Sequence, residues 1–386
     1  MAEFPDSMTD LQQMRIEDKP QSFRNKLLSP NLLIDVHTHF FNVNDVPNNF
    51  LSQRLKLSKG EMLAFNEAVQ KDVFLKMFIS KDYRRLLDNI AMSPKALIEK
   101  LNDVYRGHEV IYTPLLMDMR SMGGDQEQAY AEQIRVIDQL CDLFPDTLLP
   151  FLAIDPNSDD FVENFIKVFD IPNRKYHGVK IYPSLGYLPS HPNLMKVFKI
   201  CEDKQIPITT HCSSALVRLP FKTWRVKGMD RTGKTIDRKV KLKSKYEYKM
   251  YFNAPNRWIP VLKKYPRLKV NIAHFGGDEA WSQYALGANG TKVGRWIHHI
   301  NALIKNFENV YADFSYTLYS RSATSSLVQS IANGMTDENK ILFGTDFFLI
   351  EKEDELKKIL LQFKSDVGDR LFRKMSQTNN INFLFH

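Results

Sequence analysis

The chain has 386 residues, 43% hydrophobic and 25% charged, which excludes a disordered or fibrous protein and leaves room for one large domain or two ordinary ones. It contains no run of about 18 apolar residues, so no spanning helix is predicted, and the polar, charged stretch at residues 1–20 does not resemble a signal peptide. The net charge of +8 is local: Arg225–Lys249 holds ten Lys and Arg against three Asp and Glu, a net of +7, which argues against a nucleic-acid-binding body.

The predicted elements run as follows. An arm over residues 1–30 leads into a first strand, Leu32–His37. A long segment, residues 41–107, has helical periodicity in pieces such as Lys59–Phe78 and Ser93–Tyr105 and reads as a helical insertion packed beside the main body. Then the pattern turns regular. Strands at Val110–Met117, Leu148–Ile154, His177–Tyr182, Pro207–His211, Leu268–His274, Val310–Phe314 and Ile341–Thr345 alternate with helices near Gln126–Leu143, Asp160–Phe169, Asn193–Lys204, Trp258–Lys264, Val293–Asn306 and Ala323–Asn333. Glu351–Gln362 and Gly368–Met375 close the chain as helices. Near-continuous apolar strands suit a parallel sheet buried on both faces. Eight such units predict an α/β fold: a single (β/α)₈ barrel domain over residues 1–386, with the helical insertion after strand 1 and a basic loop insert, residues 220–255, after strand 5. A doubly wound open sheet is the competing arrangement.

The polar residues fall at matching places. Strand 1 ends in His37-Thr38-His39; residues i and i+2 of a strand share a face, about 7 Å apart, so both imidazoles can reach one cation. Lys180 lies in strand 4, and strands 5, 6 and 8 end at or near His211, His274 and Asp346. In a barrel these ends converge on one mouth. Three histidines and a carboxylate suit Zn²⁺, Mn²⁺ or Fe²⁺ with room for a water, whose pKa a metal lowers to about 7. Asp346 is the candidate to take that water's proton. His274 could polarise a carbonyl, move a proton or ligate a second metal. Lys180 has two readings: a cation for a substrate carboxylate, or, carbamylated by CO₂, an anionic bridge between two metals.

These residues carry a resemblance. Ile34–His39, Gly178–Pro183, Thr210-His211, Tyr265–Lys269 leading to Ala273–Gly277, Val310–Ser315 and Leu342–Asp346 follow in order the motifs of the amidohydrolase superfamily. The chain resembles specifically amidohydrolase-related family 2, which includes aminocarboxymuconate-semialdehyde decarboxylase. The departures are residues 41–107 and the basic insert. The resemblance implies a distorted TIM barrel in which His37, His39, His211 and Asp346 bind metal and His274 acts in catalysis. Lys180–Pro183 is also similar to the segment bearing the carbamylated lysine of dihydroorotases, which raises the two-metal reading.

Other residues draw plainer readings. His108, His177 and His191 are expected at the surface or behind the site, and His298 and His299 as helix-face packing. Asp35, on the His37 face, could orient a ligand; Asp313 could support the mouth or form a structural hydrogen bond. Arg218 and Tyr182 are candidates for substrate binding, while Trp281 could line a pocket or pack. The basic insert could steer an acidic substrate, pair with a neighbouring subunit or be a solvated excursion. Cys141, Cys201 and Cys212 are too few and too scattered for a disulfide framework, so buried thiols and a cytoplasmic location are expected.

The function expected is that of a metal-dependent hydrolase acting on a C–N or C–O bond of a small, carboxylated substrate, with one or two divalent ions, zinc first. The alternative is a non-oxidative decarboxylase or hydratase of a small aromatic or unsaturated acid, and the third reading a non-catalytic barrel scaffold. No nucleic acid or membrane partner is expected; a homodimer is suggested by the family.

Overall fold

The computed structural model describes residues 16–42, 81–122, 126–169, 174–214, 223–287 and 293–386. In chain order its strands are β1 (Leu32–Thr38), β2 (Glu109–Pro114), β3 (Phe151–Ile154), β4 (Gly178–Ile181), β5 (Ile208–Ser213), β6 (Thr223–Met229), β7 (Thr235–Lys241), β8 (Val270–Gly276), β9 (Val310–Asp313) and β10 (Ile341–Leu342). Six of them form a parallel sheet in the order β10-β9-β8-β5-β4-β3, and β1 pairs in parallel with β2. The two sheets join at both edges. Tyr112 and Leu115 bridge to Leu148 and Phe151 beside β3. On the other side, Val36 N donates to Phe343 O (3.2 Å), Asp346 N to His37 O (2.7 Å) and His39 N to Phe347 O (2.6 Å). The result is a distorted (β/α)₈ barrel, with β1 to β5 and β8 to β10 as its staves.

The strands are buried along nearly their whole length, as expected for staves with side chains inside and helices outside. Local signals start the helices where the sequence places them. Ser93 caps Pro94–Val104, accepting from Ala96 N at 3.2 Å with Pro94 in the first turn. Pro192 opens the helix Pro192–Asp203 behind His191 in the same way. The described part of the helical insertion, Lys81–Ala91 and Pro94–Val104, buries Leu87, Ile90, Leu97, Ile98 and Leu101 in the main core. The expected helix Lys59–Phe78 lies outside the described residues. Among the described residues, no helix is long and apolar enough to cross a membrane.

The basic insert is more ordered than a solvated excursion. β6 and β7 form an antiparallel hairpin, and β6 alternates exposed and buried residues. Its buried face, Trp224 and Val226, joins Leu188, Tyr248 and Phe252 in a small core of its own, while Arg225, Lys227, Asp237 and Lys239 lie on the opposite face. Trp224 rests on Gly186, where a Cβ would stand 2.2 Å from the indole ring. At φ +102°, Gly186 also holds a backbone shape that other residues resist.

Candidate metal centre

β1 delivers His37 and His39 to the mouth, and the chain beyond β10 returns to lie against them. Gly344 permits the approach: a Cβ there would stand 2.6 Å from His37 Cβ. Asp346 follows at φ +64°, a left-handed conformation that turns its carboxylate toward both histidines. Its Oδ1 stands 3.1 Å from His39 Nε2 and 3.5 Å from His37 Nε2. All three residues are almost wholly buried.

The hydrogen bonds on the far side of each ring settle which nitrogen carries the proton. His37 Nδ1 faces Asp313 Oδ2 at 3.0 Å, and His39 Nδ1 faces the Leu115 carbonyl at 2.9 Å. Both partners are acceptors, so both Nδ1 atoms donate and both Nε2 atoms keep a bare lone pair. His37 Nε2 is buried with no hydrogen-bond partner. Two lone pairs therefore confront one carboxylate oxygen, and the ligand atoms of His37, His39 and Asp346 all lie within 4.8 Å of one another. Such a set is electrostatically unfavourable unless a cation sits among its atoms, so these residues fit a divalent metal with nitrogen and oxygen donors.

His211 and His274 stand alongside. The Ser315 carbonyl, 3.2 Å from His274 Nδ1, fixes that proton, so His274 Nε2 accepts from His211 Nδ1 at 3.0 Å. That leaves a lone pair on His211 Nε2, where Ser213 Oγ approaches to 3.0 Å. His211 is thus held by Ser213 and His274 rather than among the three convergent ligand atoms. Tyr182 packs edge-on to His211 at 4.5 Å between ring centroids. Lys180, at the same face of the barrel interior, is buried and forms no hydrogen bond or ion pair among the described residues. Burial brings its ammonium down to about 8, with Asp313 and Asp346 opposing.

Asp313 ties the centre together. Its carboxylate accepts from the His37 ring, Asn271 Nδ2 (2.7 Å), His274 N (2.9 Å), Ser315 N (3.0 Å) and the Ser315 hydroxyl. Burial alone would push this carboxyl up, but the His37 ring, its hydrogen bond and the neighbouring His274 hold it well below the usual carboxylate range. Asp346 is likewise lowered against burial, by His39, His37 and His274. His37 falls to about 3, through burial first and Lys180 second, so its ring is neutral and able to ligate.

Several expectations change. Asp35 does not orient the His37 ring; its carboxylate accepts from the backbone of His37 (3.2 Å) and Thr345 (3.0 Å), the Thr345 hydroxyl (2.6 Å) and the Tyr105 hydroxyl (2.9 Å). The orienting role belongs to Asp313. His177 and His191 are buried, not at the surface: His177 Nε2 donates to Leu384 O at 2.8 Å, and His191 Nδ1 caps its helix by accepting from Asn193 N at 3.3 Å. Trp281 packs in the core against Phe275 and Phe314. The three cysteines are free and buried, as expected. Arg218 lies outside the described residues. Sequence reading missed Ser315, whose hydroxyl stands 3.0 Å from both His37 Nδ1 and His274 Nδ1; its place two residues after Asp313 was the available signal.

Comparison with known proteins follows the same lines. Residues 34–384 match the family model Amidohydro_2, described as amidohydrolase. No curated protein matches the chain. Among solved structures, a 5-carboxyvanillate decarboxylase from Novosphingobium aromaticivorans, complexed with manganese and 4-hydroxy-3-methoxy-5-nitrobenzoic acid, is 14% identical; the match covers 92% of this chain and 96% of that one, with a TM-score of 0.55. A 2,6-dihydroxybenzoate decarboxylase from Rhizobium is also 14% identical, with 92% and 98% covered and a TM-score of 0.54. A probable 2-pyrone-4,6-dicarboxylic acid hydrolase from Acinetobacter baumannii, with citric acid bound, is 13% identical, with 91% and 98% covered and a TM-score of 0.51.

Proposed function

Since the chain belongs to the amidohydrolase-2 family and is an enzyme, we propose that it is a divalent-metal-dependent decarboxylase of a small aromatic or unsaturated acid. The observation that carries this reading is the buried meeting of four imidazoles and Asp346 with Lys180, which forms no ion pair among the described residues. That arrangement matches a small anionic substrate in a space that excludes bulk water. The decarboxylases among the structural neighbours support the same chemistry. Hydrolysis of a C–N or C–O bond is the second reading, favoured by the hydrolase among those neighbours.

His37 Nε2, His39 Nε2 and Asp346 Oδ1 would hold the ion, with His211 Nε2 as a fourth donor; zinc and manganese both suit this set, and manganese is the metal named with one neighbour. When bound, the ion supplies positive charge that orients the substrate and stabilises the electron pair left when CO₂ departs. Lys180 binds the substrate carboxylate, and Tyr182 borders the space beside His211. As the carbon–carbon bond breaks, the bonding pair stays on the substrate carbon. The proton on His211 Nδ1, which His274 Nε2 accepts as a hydrogen bond, would pass by way of His274 Nε2 to that carbon, and water would return a proton to His211. Asp313 and Ser315 keep His37 and His274 in register while this happens. In the hydrolytic reading, Asp346 would instead take the proton of the attacking water.

The test starts with elemental analysis of protein purified without added metal or chelator, followed by assays of CO₂ release from aromatic and muconate-type acids and of lactone and amide hydrolysis. About one divalent ion per chain, lost in His37→Ala, with metal-dependent CO₂ release, is expected. Two ions per chain with a carbamate mass lost in Lys180→Ala, and hydrolysis without CO₂ release, would replace this reading with a binuclear hydrolase. Absence of metal uptake would sink both.

A further inference from the structure

A group of cationic side chains lies apart from the candidate metal centre. The turn Pro255–Trp258 packs against the helix Arg295–Asn306, and the β6–β7 hairpin brings Arg231 and Arg238 near enough for their charges to act on Arg257. They bring together Arg231 and Arg238 from the hairpin, Arg257 from the turn, and Arg295 and His299 from the helix. The Arg257 guanidinium stands 4.6 Å over the ring of Tyr251. Three polar atoms at this place are buried without a hydrogen-bond partner: Arg257 Nε, Tyr251 Oη and His299 Nδ1.

Among the described residues, no carboxylate forms an ion pair with Arg231, Arg238 or Arg257. Asp230 is adjacent, but it is committed to its own turn, accepting from Thr232 N (2.9 Å), Thr232 Oγ1 (2.6 Å) and Lys234 N (3.1 Å). Burial, then Arg231 and Arg238, bring the Arg257 guanidinium down to about 10, and burial with Arg231, His298 and Arg295 lowers His299. Folded proteins rarely leave buried donors unmet, least of all charged ones surrounded by like charge.

We propose that this cluster is an oxyanion site that binds a phosphoryl group. Several guanidinium forks converging from separate elements outnumber the single charge of a carboxylate and suit a tetrahedral dianion. Arg257 Nε and Tyr251 Oη then donate to it from the buried side, and Arg231 and Arg238 cover it from the hairpin. This assignment is independent of the reaction proposed for the metal centre.

The test is calorimetric titration of the full chain, stripped of metal by chelator, with inorganic phosphate at ionic strength held constant with chloride. Malonate serves as the dicarboxylate control. Phosphate binding is expected to be saturable and at least tenfold weaker in both Arg231→Ala, an exposed position, and Arg257→Lys, which keeps the charge but loses the fork. Both variants should take up metal as the parent does. Absence of phosphate binding, binding in both variants as tight as in the parent, or malonate binding as tight as phosphate would overturn the assignment.

Discussion

At the scale of single residues, one buried carboxylate ties the candidate centre together. Asp313 grips the His37 ring and the backbone of His274 at once. Asp313→Asn keeps the shape but removes the charge, and is expected to weaken metal binding about 10–100-fold, as measured by competition with a chromogenic chelator. In the proposed role of holding the substrate carboxylate, Lys180 would set a pH dependence. Its ammonium is lowered to about 8 and is the charged form below that value. Binding of an anionic substrate should therefore be steady below about pH 7 and weaken as pH rises through about 8. Inhibitor titrations across pH check this, and Lys180→Met should remove the alkaline limb. Much of the centre was legible in sequence, because His37, His39, His211, His274 and Asp346 all stand at or near strand ends. What was not legible is which polar group holds which. Asp35 and Asp313 look alike as acidic residues in strands, and only the closure of the barrel turns one toward Thr345 and the other toward the His37 ring.

At the scale of elements, the strand ends carry strain that no periodicity announces. His274, Phe275, Tyr316 and Asp346 all have positive φ, between 45° and 64°. Each such residue costs on the order of 1–3 kcal/mol, and here they lie at or just beyond the ends of β8, β9 and β10, around the centre. The insert illustrates a different limit. Charge dominates its composition, so a solvated loop was the simplest expectation, yet alternation along β6 hides Trp224 and Val226. Trp224→Ala should remove about 3–5 kcal/mol of local packing. Hydrogen exchange should then show lost protection across the hairpin while β8 and β9 keep theirs. An equal loss in the barrel strands would mean that the hairpin is not a separate packing unit.

At the scale of the whole molecule, the number and order of the staves follow from eight apolar runs alternating with helices. The seam between first and last stave does not, because it is made by residues more than 300 positions apart. Asn380 fastens it: its amide donates to Ile34 O at 2.7 Å and Phe343 O at 2.9 Å. Asn379 adds a bond to Ile341 O at 2.7 Å, and Gln377 one to Leu32 O at 2.6 Å. Asn380→Leu should lower stability by about 1–3 kcal/mol, read from thermal or urea unfolding, since two buried carbonyls lose a donor.

The proposed ligands straddle this same seam, with His37 and His39 on the first stave and Asp346 just beyond the last. A chain emerging from the ribosome exposes its two histidines about 300 residues before their carboxylate. Chains that stop between the two would hold half of the proposed chelate, too weak to retain an ion. Under the proposed ligand set, cofactor acquisition separates chains that have closed the seam from fragments that stop before the last stave.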